Sequence, residues 1–298
     1  MKKVLVFDIG GTNTRLALVN ENFKIEKRLD TKTIKNDEKK FMENCIKMIE
    51  QFPLEDVVAI GAGIPGVVDT KTGDILIMPN ASLKNIKFAK ILKEKFNLPV
   101  YVRNDAQVAC LGEAYSGAGK GLERVFFITI STGLGGALCV DKEIQDYLTE
   151  VGHTLFNYKG QIRGFEESVS GINLSSFAKE LGYDVKDAID FFDKVRAKDK
   201  KALQFYNEWL SVLDQFVKLM TNSYNPDVIC VTGGLMKSKD VFFKKLVNSN
   251  KNVKIVECKY CDGAGIMGAA TYALQCAKII WFLLKIDIYL LLTKTKTR

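Results

Sequence analysis

The sequence predicts an α/β fold made of two similar halves. Apolar strands alternate with amphipathic helices along most of the 298 residues. The segments Val4–Val19 (VLVFDIGGTNTRLALV) and Val125–Val140 (VFFITISTGLGGALCV) also share one plan: an apolar strand, a turn with Gly and Thr, and a second apolar strand. Their spacing is far too long for a solenoid, and no linker stands out between them. Two duplicated domains, each presenting a Gly-rich turn to a shared cleft, satisfy both observations.

The elements follow in order. Lys3–Ile9 is a strand, broken by Gly10 and Gly11 and resumed at Thr14–Val19. Phe41–Gln51 has the apolar spacing of a helix, and Val57–Ala62 is a strand before the GIPG turn. Phe88–Phe96 is a helix, Pro99–Val102 a strand and Ala106–Tyr115 a helix. Val125–Ile130 is rich in β-branched and aromatic residues, as strands are. Leu203–Tyr224 is a long helix stopped by Asn225-Pro226. Val228–Thr232, Lys239–Leu246 and Gly263–Leu274 read as strand, helix and a helix of small residues. The expected domains are 1–115, 116–275 and an atypical tail, 276–298, with helix 263–275 packing back on the first domain.

Composition excludes several classes. With 47% hydrophobic and 26% charged residues, the chain is neither disordered nor collagen-like. The net charge of +8 comes from 43 basic against 35 acidic residues, but only seven of the 43 are Arg. A Lys-rich, Arg-poor chain argues against a nucleic-acid surface. From Ala277 on there are five basic residues and one acidic, so part of the charge is local. Seven scattered cysteines and no signal-peptide pattern in MKKVLVFDIGG point to a reducing, cytoplasmic setting. Cys258 and Cys261 form a lone C-x-x-C, which reads as two small residues at a strand end in preference to zinc or redox chemistry.

Three Gly-rich turns could cradle phosphate, because without a Cβ the backbone N–H groups approach its oxygens closely. They are Gly10-Gly11-Thr12, Thr132-Gly133-Leu134-Gly135-Gly136 and Thr232-Gly233-Gly234. None is a Walker A or a G-x-G-x-x-G motif. Asp8, at the end of the first strand, could hold Mg²⁺ against nucleotide phosphates, directly or through water. Asn104-Asp105 lies between a strand and a helix, where α/β sheets bind ligands. Asp105 can be read as a general base or as a helix N-cap, and the spacing leaves both open. His153, the only histidine, makes a poor zinc site without cysteine neighbours.

In this order the motifs resemble the ROK family of repressors, uncharacterised frames and sugar kinases, within the actin-like ATPase superfamily. The resemblance runs from Val4 to about Leu274. DIGGTNTRLALV resembles the first phosphate motif and ITISTGLGGAL the second. GIPGVVD and PNAS resemble sugar-domain strands, NDAQVACLGEA the catalytic motif, EVGH the sugar-contacting Glu and His, and VTGG the adenosine motif. The resemblance implies two ribonuclease-H-like domains flanking a catalytic cleft, and ATP-dependent phosphorylation of a hexose 6-hydroxyl. It implies Asp105 as general base. Asn80, Asn104, Glu150, His153 and Glu166 would contact the sugar, with Glu167 as the alternative to Glu166. Asp8, Gly10, Gly11, Thr12, Thr132, Gly133, Gly233 and Gly234 would line the nucleotide site, with Asp8 near Mg²⁺. It also implies a homodimer.

The chain departs from the family pattern in two places. Many members hold zinc with the His of the EVGH-like motif and three cysteines of the following loop, whereas GHTLFNYKGQIRGFEE has none. No zinc is expected, His153 is left for the sugar, and Phe156, Tyr158 and Phe165 are candidates for ordering the loop. The family also usually ends near Leu274, whereas here Ile279–Leu292 adds an apolar run interrupted by Lys285 and Asp287. That run is shorter and more interrupted than a membrane span, and reads as an added helix or strand packing on the body or on a partner subunit, or as an altered reading frame. NDAQ, VFFITISTG and GHTL resemble bacterial N-acetylmannosamine kinases, which act in amino-sugar and sialic-acid breakdown. Glucokinases, which often read NDAN, or another ROK hexose kinase such as a fructokinase, are the alternative. A sugar-sensing repressor is the remote alternative, since no helix-turn-helix fits before Asp8.

Overall fold

The computed structural model describes residues 1–146 and 150–277. It divides into two compact units. The first comprises Met1–Gly112 and the described residues from Gly265 on, and the second comprises Glu113–Ala264.

In the first unit, β1 (Lys3–Ile9), β2 (Asn13–Asn20), β3 (Ile25–Lys32), β4 (Val57–Ile64) and β8 (Val100–Asn104) form a sheet of order β3-β2-β1-β4-β8. β1 is antiparallel to β2 and parallel to β4, which is parallel to β8. The parallel registers place Asp8 beside Gly63, and Ile64 beside Asn104. Three neighbouring strands thus end together, at the edge where open α/β sheets bind ligands. A small sheet of β5 (Val67–Asp69), β6 (Asp74–Met78) and β7 (Leu83–Ile86) is added between β4 and β8 in the chain.

Both faces of the five-stranded sheet are covered. On one, Phe41 of α1 (Glu38–Ile49) and Phe88 of α2 (Phe88–Phe96) join the core around Leu5 and Phe7. On the other, Val108 of α3 (Asp105–Ser116) and Ile266, Ala269 and Ala273 of the helix of residues 264–277 pack on Val4, Val6 and Ala59. A side chain at Gly268 would collide with the Val108 carbonyl, so the two helices touch backbone to backbone.

The second unit repeats the topology. β9 (Arg124–Ile130), β10 (Leu134–Val140), β11 (Glu143–Ile144), β14 (Val228–Thr232) and β15 (Lys254–Glu257) lie in the order β11-β10-β9-β14-β15. Again a hairpin is followed by parallel strands. Between them come the hairpin β12 (Leu155–Tyr158) and β13 (Gln161–Gly164), then α4 (Glu166–Val169), α5 (Leu174–Glu180), α6 (Ala188–Arg196) and α7 (Lys200–Tyr224). α8 (Lys239–Ser249) links β14 to β15. α7 buries Phe205, Tyr206, Trp209, Leu213 and Phe216 at three- and four-residue spacing, which makes it the spine of an aromatic core. Asp199 caps its start by accepting from Ala202 N–H at 2.8 Å, and Asn225 ends it in the left-handed region.

Cys258 is buried just past β15, Cys261 is exposed, and the Cys261 thiol donates to the Cys258 carbonyl at 3.2 Å. The expected tail begins in the helix of residues 264–277, and its Ile279–Leu292 run lies outside the described residues. No described helix is long and apolar enough to cross a membrane.

Candidate active site

The expected site residues fall into two groups, one in each unit. In the first unit, the turn Gly10-Gly11-Thr12 joins β1 to β2. Gly10 N–H donates to the Asn13 carbonyl at 2.8 Å, and the Thr33 hydroxyl to the Gly10 carbonyl at 2.6 Å. Asn80 stands over this turn, since a β-carbon on Gly11 would lie 2.8 Å from Asn80 Cβ. The turn length pairs Ile9 with Thr14, and therefore Asp8 with Arg15. Arg15 Nη1 lies 2.8 Å from Asp8 Oδ2. Burial pushes the Asp8 carboxyl above its ordinary range, and the Arg15 guanidinium opposes that shift.

The residue before α3 is Asn104, and Asp105 is the first residue within it. Asn104 is the helix cap: its Oδ1 accepts from Ala106 N–H at 2.9 Å and Gln107 N–H at 3.3 Å. Its Nδ2 donates to the Gly66 carbonyl at 3.1 Å. Gly66 has φ +106°, and a β-carbon there would collide with the Ile77 carbonyl, so only glycine can present that carbonyl. Asp105 is the first residue of α3, half-buried, with Oδ1 accepting from Ala106 N–H at 2.8 Å. Asn104 therefore sets the helix start, and Ala106 N–H bonds both Asn104 and the carboxylate next to it.

In the second unit, Ser131-Thr132-Gly133 joins β9 to β10. Glu166 Oε2 accepts from Leu134 N–H at 2.7 Å, and a β-carbon on Gly133 would sit 2.5 Å from that oxygen. Glu167 instead turns to Gly164 N–H at 3.3 Å and is 61% exposed, so Glu166 is the carboxylate that meets the turn. The Glu150-Val151-Gly152-His153 segment packs on the same turn, because Gly152 lies against the Leu134 carbonyl and Val151 against Gly136. Glu150 Oε2 and His153 Nε2 are 3.7 Å apart, and both side chains are exposed.

The third turn lies beside the second. Gly233 has φ +109° and abuts the Ile130 backbone, with no room for a side chain. A cavity of about 520 Å³ is lined by Ser131 and Thr132, by Gly234, and by the apolar Ile172, Ile189 and Phe192. A polar turn facing an apolar wall suits a base with attached phosphates.

Aromatic packing holds the β12–β13 hairpin. Phe156 stacks on Phe165 with ring centres 4.2 Å apart, and Tyr158 meets Phe177 edge-on at 5.4 Å. Tyr158 Oη and Lys159 Nζ both donate to Glu208 on α7, at 2.7 and 2.9 Å. Among the described residues, no cluster of three or more His, Cys, Asp or Glu is arranged around a metal. Asp8 fits a different kind of site. Mg²⁺ commonly takes one or two carboxylates and fills its shell with water and phosphate oxygens, and Asp8 stands at such a turn.

Sequence reasoning missed Arg15, which faces Asp8, and Gly66, which holds Asn104. The hairpin register was the available signal for the first.

The family model described as "ROK family" matches residues 4–276. An uncharacterised protein of Clostridium perfringens is 29% identical over 89% of this chain and 95% of its own length. A glucokinase of Thermotoga maritima is 26% identical over 90% of this chain and 96% of its own. Among solved structures, a Listeria monocytogenes protein described as a candidate N-acetylmannosamine kinase superposes with a TM-score of 0.80. It is 23% identical and covers 92% of this chain and 99% of its own. With the family match spanning nearly the whole chain, the protein belongs to the ROK family.

Proposed function

We propose that this protein is an ATP-dependent sugar kinase that phosphorylates the 6-hydroxyl of N-acetylmannosamine. One observation carries the reading. Asp105 opens α3 at the carboxyl end of β8, the edge where such sheets bind ligands, beside the cap that Asn104 supplies. That position supports a role in proton transfer, with Asp8 and the first Gly-rich turn two strands away in the same sheet.

The chemistry then follows. Asp105 accepts the proton of the 6-hydroxyl as its oxygen bonds to the γ-phosphorus and the bond to the β-phosphate oxygen breaks. The products are the sugar 6-phosphate, ADP and a proton. Phosphoryl transfer draws mainly on positioning and charge neutralisation. Thr132, Gly133, Gly233 and Gly234 line the nucleotide's phosphates, and Ile172 and Ile189 take its base. Gly10, Gly11 and Thr12 form the phosphate turn of the first unit. Asn80, Asn104, Glu150, His153 and Glu166 bond the sugar hydroxyls. Mg²⁺ bound with ATP near Asp8 supplies charge neutralisation. No zinc enters this reading, and the protein acts as a cytoplasmic homodimer.

The choice of sugar draws on the NDAQ, VFFITISTG and GHTL cues, and the Listeria likeness supports it. ADP release with MgATP is measured against N-acetylmannosamine, glucose, N-acetylglucosamine, mannose and fructose, and compared by kcat/KM. Preference for N-acetylmannosamine is the expected result. Preference for glucose keeps the kinase and replaces the sugar, whereas silence on every sugar overturns the kinase reading.

A further inference from the structure

We propose that Arg15 is a built-in counter-ion that occupies Asp8 in the nucleotide-free protein and releases it to the divalent cation arriving with the nucleotide. The proposal rests on the reading of Asp8 above and adds a positioning residue to it.

Strand register brings the charges together. Asp8 on β1 pairs with Arg15 on β2, and Arg15 pairs with Asp30 on β3. Directly opposed residues project to the same sheet face, so acid, base and acid lie in one row. Arg15 Nη1 bonds Asp8 Oδ2 at 2.8 Å. Arg15 Nε is 3.8 Å from Asp30 Oδ2 and is buried without a hydrogen-bond partner among the described residues. The guanidinium thus makes one strong bond to Asp8 and turns an unmade one toward Asp30. Arg28 already gives Asp30 two bonds of 2.7 Å, so Asp30 is anchored to receive Arg15.

Gly265 stands on the other side of Asp8. Oδ1 faces Gly265 in the first turn of the helix of residues 264–277, where a β-carbon would collide with it. A hydrated cation needs room and negative charge at a carboxylate oxygen, and of these two neighbours Arg15 takes both. The helix backbone is fixed, whereas Arg15 is a side chain with a second acceptor within reach. A guanidinium left on Asp8 would also repel the cation. Arg15 and the metal therefore compete, and Asp30 sets the balance.

The test is the coupling between metal and nucleotide: the ratio of mant-ADP Kd without and with Mg²⁺, on the full chain. Arg15→Met is expected to raise that ratio about five- to tenfold, as expected for losing one charge-assisted competitor. Asp30→Asn is expected to lower it, because Arg15 then stays on Asp8. If Arg15→Met fails to fold, Asp30→Asn alone decides the question. An unchanged ratio in either variant overturns the proposal. So does a Kd weakened equally with and without Mg²⁺, which would make Arg15 a phosphate contact. If the unaltered protein binds no mant-ADP in either condition, the nucleotide reading itself fails and takes this proposal with it. Binding that responds to Mg²⁺ while ignoring Arg15 removes only the proposal.

Discussion

Two glycines around the second phosphate turn should respond to alanine in opposite ways. At Gly133 the new methyl would stand 2.5 Å from Glu166 Oε2 and 3.4 Å from its Cδ. That neighbour is the end of a flexible side chain, so it swings away. The loss is the bond from Leu134 N–H to Glu166, 2.7 Å long. A charged hydrogen bond contributes about 1.5–3 kcal/mol, but half-exposed Glu166 regains solvent, so about 1 kcal/mol of stability is expected to go. At Gly152 the methyl would collide with the Leu134 carbonyl oxygen and stand 3.1 Å from the carbonyl carbon. That neighbour is backbone of β10 and cannot rotate aside. Overpacking of this kind costs about 1–3 kcal/mol and occasionally more, and the upper end applies here. Urea midpoints at unchanged slope measure both losses. Gly133→Ala should shift the midpoint slightly yet raise the sugar KM, because Glu166 has moved. Gly152→Ala should shift the midpoint by about three times as much. Equal midpoint losses, or an unchanged sugar KM in Gly133→Ala, would refute the reasoning.

Asn104→Ala removes the α3 cap and the bond to Gly66. It should cost about 1 kcal/mol in urea denaturation and lower kcat more than it raises the KM for ATP. Glu113→Ala should be far costlier. The fully buried carboxylate accepts from Ala118, Lys259 and Tyr260 N–H at 2.7–3.1 Å, and stranding them costs more than about 3 kcal/mol by the same denaturation. Glu208→Gln tests the hairpin that stands in the family's zinc-loop segment. Lys159 and then Tyr158 hold the Glu208 carboxyl below its ordinary range. A lowered folded pKa contributes stability above the unfolded value of about 4.3 and loses it as pH falls through the folded value. The Tm gap between Glu208→Gln and the unaltered protein should therefore be full at neutral pH and close in acid.

Much of the fold was legible because its signals are local. The strands before and after Gly10-Gly11 and Gly133 are mainly apolar, and their repetition announced two units of one topology. α7 was legible from its spacing and its Asn-Pro stop. The small sheet β5–β7 was not, since VVDTKTGDILIMPNASLKNI mixes short apolar pairs with turn residues and only tertiary pairing makes strands of them. β12–β13 was missed for a similar reason: its aromatics read as packing, while the cross-strand register that orders them is non-local. In the candidate site, residue types were legible but roles were not. Asn104 and Asp105 are both good capping residues, and only hydrogen-bond geometry assigns the cap to Asn104. Glu166 and Glu167 are adjacent, and the turn of α4 decides which one meets Gly133. Arg15 looks like a surface charge until the hairpin register sets it against Asp8.

Asp105→Asn is the most direct test of the catalytic claim. Asparagine keeps the size, the acceptor for Ala106 N–H and the Asn104 cap, so folding and sugar affinity should hold. The measurement is kcat together with the sugar Kd by calorimetry on the same preparation. Loss of a general base should lower kcat by about 10²–10⁴ with the Kd unchanged. A variant that turns over near the original rate would remove Asp105 as the base.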